Sequence, residues 1–103
     1  MKTYNKLVRD KIPGIIDASG AVCATKTLSD PEYLEALDNK LTEELAEYHQ
    51  DQSLEELADL LEVIYAAAKA RGCSEWALDE IRRIKAEKRG RFDRKIMLLT
   101  VED

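Results

Sequence analysis

The sequence predicts an all-α protein, a helical bundle of three long helices preceded by a short N-terminal one, and three observations carry that prediction. Leu and Ala are abundant while the 103 residues include only four Gly and two Pro, a mixture that suits helices better than strands or disorder. Three long stretches repeat their apolar residues with helical period. Each opens on a serine able to cap it, at Ser29, Ser53 and Ser74. At this length the chain is one domain, residues 1–103, with only a modest core to bury alone, so the bundle is expected to be completed by oligomerisation.

Tyr4 to Lys11 carries Leu7 and Val8 among Lys6, Arg9, Asp10 and Lys11. Pro13 then starts or bends a short helix through Ile15 and Ile16, which Ser19 and Gly20 end. Residues 21–28, with Val22, Thr25 and Thr27, read as a short extended segment. Ser29, Asp30, Pro31 and Glu32 form a capping pattern, and the helix they open runs to about Gln50. Leu34, Leu37, Leu41, Leu45 and Tyr48 form its core face, a stripe roughly 80° wide. Glu44 lies at the edge of that stripe and Glu47 further round the same side, whereas Glu43 points almost directly away, into water.

Ser53, Leu54, Glu55 and Glu56 form a second capping box, opening a helix that runs to Arg71 and stops at Gly72. One apolar stripe holds Leu54, Leu57, Ala58, Leu61, Ile64, Tyr65 and Ala68. A second holds Leu60, Val63 and Ala67, and Glu56 and Asp59 project in that same direction. A helix apolar on two sides is central in a bundle or lies at an oligomer interface. Ser74 caps the third long helix, which carries Trp76, Ala77, Leu78, Ile81 and Ile84 and ends near Gly90. Residues 91–101, with Phe92, Ile96, Met97, Leu98, Leu99 and Val101, are short and apolar enough for a strand. The extended N-terminal half is its natural partner, so a minor β pairing of the two ends is expected.

The net charge of −5 is segregated along the chain. From Asp30 to Glu62 there are twelve acids and one base, Lys40, whereas from Arg82 to Lys95 there are eight bases and two acids. Each block also fits a solvated helix face. The chain has no apolar run long enough to span a membrane and its N-terminus has no hydrophobic signal core, so a cytoplasmic protein is the expectation. Cys23 and Cys73 stand alone and read as reduced, partly buried residues. With one histidine, His49, and two scattered cysteines, zinc is disfavoured. His49 reads as a polar residue at a helix end, and Trp76 and the tyrosines as core. Nucleic-acid binding is disfavoured on an acidic chain whose basic tail is interleaved with Phe92 alone.

Glu44, Glu47, Glu56 and Asp59 are the candidate site. In a helix, residues three apart share a face, so each pair forms a claw on successive turns. If the chain reverses near Asp51 and Gln52, Glu47 lies opposite Glu56 and Glu44 opposite Asp59. Four negative charges at one level repel unless a cation sits among them, and a hard divalent ion, Mg2+ or Mn2+, is the candidate. Such an ion is completed by phosphate oxygens, which implies a phosphorylated ligand. A carboxylate free of metal could take the proton of a water, and basic residues from Lys88 through Arg91 to Lys95 could stabilise phosphate charge. The same spacings are common on the acidic surface of an ordinary helical hairpin, and that reading stands beside the metal one.

These motifs resemble a known family. K-L-T-E-E-L-A-E at Lys40–Glu47 followed by E-E-L-A-D at Glu55–Asp59 is similar to the motif pair of the MazG-like all-α nucleoside triphosphate pyrophosphohydrolases. Y-N-K-L-V-R-D-K-I-P at Tyr4–Pro13 and K-R-G-R-F-D-R-K-I at Lys88–Ile96 resemble the two ends of a phosphoribosyl-ATP pyrophosphohydrolase-like subgroup. The resemblance implies a homodimer or dimer of dimers whose four-helix bundle forms the active site, and Mg2+-dependent cleavage of a nucleoside triphosphate to the monophosphate and pyrophosphate. By position, Glu44, Glu47, Glu56 and Asp59 match the metal ligands and Glu43 the first, more variable carboxylate. Two features depart from the pattern: only eight residues separate Glu47 from Glu56, and Gly14 stands where the subgroup often has an acid. The leading expectation is a house-cleaning enzyme. Phosphoribosyl-ATP hydrolysis and a non-catalytic helical module that binds nucleotide or a partner protein are the alternatives.

Overall fold

The computed structural model describes residues 1–102, and it is all-helical. Four helices follow one another: α1 (Ile12–Ala18), α2 (Asp30–Asp51), α3 (Leu54–Ala70) and α4 (Glu75–Arg89). Each long helix begins where its serine stands. The Ser29 hydroxyl accepts from the Glu32 N–H at 3.4 Å while the Glu32 carboxylate accepts from the Ser29 N–H at 3.0 Å, a complete capping box. Ser53 accepts from the Glu56 N–H at 3.2 Å and Ser74 from the Ala77 N–H at 3.1 Å. The expected second box is only half formed. Glu56 does not return to the Ser53 N–H, because its carboxylate is turned toward the other acids of the hairpin.

The turn between α2 and α3 consists of Gln52 and Ser53. Gln52 adopts a left-handed conformation (φ 52°) and its N–H donates to the Tyr48 carbonyl at 2.7 Å, closing α2 and reversing the chain at once. α3 therefore runs back along α2, and α4 meets only α3, more sparsely. At the end of α3, Gly72 has φ 82° while the Cys73 N–H reaches back to the Ala68 carbonyl at 2.9 Å, so the position needs a residue at ease with positive φ.

The inward face of α3 is the smaller of its two apolar faces. Val63 is buried against α2, with Leu60 and Ala67 half-buried beside it. The richer stripe of Leu54, Leu57, Leu61 and Ile64 faces outward and stays exposed, together with Leu45 of α2. Among the described residues only Leu37, Val63 and Glu44 are buried. The molecule is correspondingly long, 61 × 31 × 24 Å, with a radius of gyration of 18.1 Å against about 13 Å for a compact chain of 100 residues.

Three expectations are corrected. No strand forms among the described residues: residues 21–28 and 91–101 are irregular, and Ile96 to Leu99 remain largely exposed, since neither segment has a neighbouring edge to pair with. Trp76, expected in the core, is 80% exposed on the first turn of α4, because α4 has only one helix to pack on, and Tyr4 and Leu45, also expected inside, are exposed because no further element covers them. Glu43, expected in water, is half-buried between Lys6 and Lys40. Cys23 and Cys73 are free and half-buried, as expected. No helix among the described residues is long and apolar enough to cross a membrane.

Candidate metal centre in the α2–α3 hairpin

The two-residue turn fixes the register of the hairpin, and the register brings the acids together. Carboxylate oxygens of Glu44, Glu56 and Asp59 lie within 4.8 Å of one another, and so do those of Glu43, Glu44 and Glu47. Glu44 belongs to both groups and is the centre of the arrangement. Its residue is only 6% exposed. Glu44 Oε1 is 3.3 Å from Lys40 Nζ, but Oε2 is buried with no hydrogen-bond partner. Glu56 Oε2 is in the same condition. A buried oxygen left without a donor is a costly arrangement in a folded chain.

Three cations approach the cluster. Lys40, one turn before Glu43 and Glu44, bridges both, at 3.2 Å from Glu43 Oε2. Lys6 Nζ is 3.2 Å from Glu43 Oε1 and Arg9 Nη2 is 2.7 Å from Asp59 Oδ1. Both come from the irregular N-terminal segment, which this pairing ties across α2 and α3. Lys40 was noted in the sequence only as the lone base of the acidic stretch, with no base expected beside the acids; its spacing of three and four residues to Glu43 and Glu44 is the signal that would have found it. Lys6 and Arg9 were not, because nothing local places residues 37 and 50 positions away beside their partners.

The cations do not offset the burial of the whole cluster. Burial pushes the Glu44 carboxyl above the ordinary carboxylate range, and the neighbouring charges of Glu47 and Asp59 add to it while Lys40 opposes. Burial also raises Glu56, with Glu47, Asp59 and Asp51 acting in the same direction. For Glu43 burial is outweighed by hydrogen bonds from Lys40 and Lys6, which hold it low, and Lys6 is raised in return.

These shifts give opposite pH slopes. Glu44 and Glu56 bind protons more tightly folded than unfolded, so stability falls as pH rises from the ordinary carboxylate range through their raised values. Glu43 contributes stability above the ordinary range that is lost as pH falls through its lowered value. In EDTA the thermal midpoint should therefore peak near the ordinary carboxylate range, decline as pH rises through the raised values of Glu44 and Glu56 and level off above them, and added Mg2+ should flatten the decline. Melts across that range check this, and a midpoint that climbs steadily above pH ~5 would contradict it.

The remaining candidates lie elsewhere. Lys88, Arg91 and Lys95 are exposed, and none of the ion pairs among the described residues joins them to the cluster. His49 is exposed near the end of α2, its ring beside that of Tyr48. The donors at hand are thus carboxylate oxygens alone. An all-oxygen set with two unpartnered buried atoms could hold a hard cation.

No family model and no solved structure matches the chain. A stretch of 42 residues is 60% identical to an uncharacterized protein of Mycolicibacterium smegmatis, covering 41% of this chain and 43% of that protein. The chain thus matches less than half of that relative's length.

Proposed function

We propose that the chain is a Mg2+-dependent nucleoside triphosphate pyrophosphohydrolase of the MazG-like kind, adding water across the α–β phosphoanhydride bond to yield the monophosphate and pyrophosphate. One observation carries the reading: Glu44 and Glu56, each with a buried Oε2 that has no partner, form with Asp59 a group of carboxylates whose oxygens lie within 4.8 Å of one another. The motif resemblance along the chain supports the reaction and the cytoplasmic, house-cleaning setting.

Glu44, Glu47, Glu56 and Asp59 would hold the ion, with Mn2+ an acceptable substitute. When bound, Mg2+ supplies charge neutralisation to the phosphates and acidity to a water. Glu44 is held rigidly by burial and by Lys40, so it fixes the geometry. Glu56, whose proton affinity is raised by burial and by Glu47, would give up that proton on joining the ion's ligands. Glu43, kept ionised by Lys40 and Lys6, contributes fixed negative charge at the rim. The basic tail of Lys88, Arg91 and Lys95 remains available to phosphates only if a second copy brings it to the hairpin. A second copy is also what the exposed stripe of α3 calls for, and the active form is a homodimer or homotetramer.

Pyrophosphate release from a panel of standard and damaged triphosphates tests the reading. Release should require Mg2+ or Mn2+ and stop in EDTA, whereas a pure preparation that turns over none of them refutes it. Activity confined to phosphoribosyl-ATP would favour the histidine-synthesis alternative instead.

A further inference from the structure

We propose that Lys6 and Arg9 are substrate-binding residues, held on Glu43 and Asp59 until phosphate oxygens replace those carboxylates as their partners. The proposal rests on the triphosphate reading above and adds to it the residues that grip the phosphate chain.

The N-terminal segment crosses the mouth of the acidic cluster as a strap, with one cation on each helix. Asn5, at φ 46°, turns the backbone just before Lys6. Lys6 then lies on Glu43 of α2 at 3.2 Å and Arg9 on Asp59 of α3 at 2.7 Å. The two cations differ from Lys40. The Lys40 side chain is 16% exposed and wedged between Glu43 and Glu44, a structural counter-charge, whereas those of Lys6 and Arg9 are 43% and 57% exposed. Solvent-exposed ion pairs are weak and exchange readily.

Each strap cation also has bonding capacity to spare. The Arg9 side chain makes one hydrogen bond among the described residues, through Nη2 to Asp59, and its guanidinium has four further N–H donors arranged in a fork that matches phosphate. Lys6 makes one such bond, to Glu43. The charges agree with a handover. Five carboxylates, Glu43, Glu44, Glu47, Glu56 and Asp59, meet three cations, which leaves an excess of two negative charges when all are ionised, the charge that one divalent ion neutralises. With that ion in place, Asp59 no longer needs the guanidinium, and the freed Arg9 and Lys6 are tethered at the rim where a polyphosphate must approach. No other fixed cation among the described residues is so placed, since Lys88, Arg91 and Lys95 have no contact with the cluster.

The experiment is a calorimetric titration of inorganic tripolyphosphate into the full chain saturated with Mn2+, beside a titration of Mn2+ alone. Arg9→Ala and Lys6→Ala should each bind tripolyphosphate about ten- to a hundredfold more weakly than wild type, the range for lost hydrogen bonds between charged groups. Mn2+ alone should bind Arg9→Ala as tightly as wild type or up to about fivefold more tightly, because a competitor for Asp59 is gone. Arg9→Lys, which keeps the charge but not the fork, should fall between, and circular dichroism of each variant confirms the fold. Unchanged tripolyphosphate affinity in both alanine variants overturns the proposal. So does loss of Mn2+ binding in parallel, which would make the strap merely structural, and so does a wild type that binds no tripolyphosphate. Because this readout needs no turnover, strap-dependent binding in a chain that hydrolyses no triphosphate would sink the enzymatic reading alone.

Discussion

Glu44→Gln should abolish the cation site while leaving the metal-free fold at least as stable as before. Glu44 is shared by both groups of carboxylates and is the most buried of them. Replacing one of its oxygens by an amide removes a donor of the proposed site and a negative charge together. Losing even a supporting residue of a metal site costs about 10–100-fold in affinity, and a direct ligand should cost no less. Pyrophosphate release should fall by about 10²–10³-fold or more, the usual effect of deleting one preorganised electrostatic contact. Stability moves the other way. Burial disfavours the charged carboxylate and Glu47 and Asp59 repel it, against the attraction of Lys40; an isosteric amide escapes the burial and repulsion while Lys40 keeps its bond to Glu43. In EDTA at neutral pH the midpoint should hold or rise by a few degrees, about 4–8 °C for each kcal/mol relieved in a domain of this size. Mn2+ titration, pyrophosphate assay and thermal melts on one preparation check all three. A variant that keeps its metal affinity, or that melts far below wild type in EDTA, would show that Glu44 is a structural residue. Glu55→Gln, on the exposed side of the same hairpin, should change neither property.

The second large effect is expected at Leu61. The stripe of Leu54, Leu57, Leu61 and Ile64 is exposed on α3, with Leu45 of α2 nearby in character, while only two apolar side chains, Leu37 and Val63, are buried among the described residues. Such a core is too small to offset the backbone entropy of a chain this long. Wild type should therefore sediment at two or four times the 11.7 kDa chain mass. Burying a leucine fully contributes about 1.5–3 kcal/mol, and a two-fold interface uses each position twice. Leu61→Asp should thus shift the protein to monomer and remove its cooperative melting transition, since a carboxylate in an apolar interface also carries its desolvation. Leu61→Ala should weaken assembly without abolishing it. A wild-type chain that sediments as a monomer and still melts sharply would refute this account of its stability.

Local chemistry made much of the fold legible before any coordinates. Ser29, Ser53 and Ser74 cap the three long helices because a serine hydroxyl needs only the N–H three residues on. Gln52 reverses the chain where the acid spacing required it, and Gly72 and Gly90 stand at positive φ where helices stop. The nearness of Glu44 to Glu56 and Asp59 was legible for the same reason, since a two-residue turn leaves the hairpin one register, whereas Glu47 groups with Glu43 and Glu44 of its own helix.

What tertiary structure alone decided is which surface goes inward and what crosses over it. α3 is apolar on two faces, and periodicity cannot rank them; in the structure the Val63 side, which also carries Glu56 and Asp59, packs inward and the Leu61 side is left outward. Glu43 looked solvated by its angle on the helix until Lys6 arrived from 37 residues away, and Arg9 reached Asp59 across 50. The ends of the chain looked capable of pairing as strands and found no edge to join. Sequence by itself determines whatever is completed within a helical turn or across a two-residue reversal. The counter-charges of the acidic cluster depend on where an irregular segment comes to rest, and Coulomb attraction, unlike a capping bond, carries no fixed spacing along the chain.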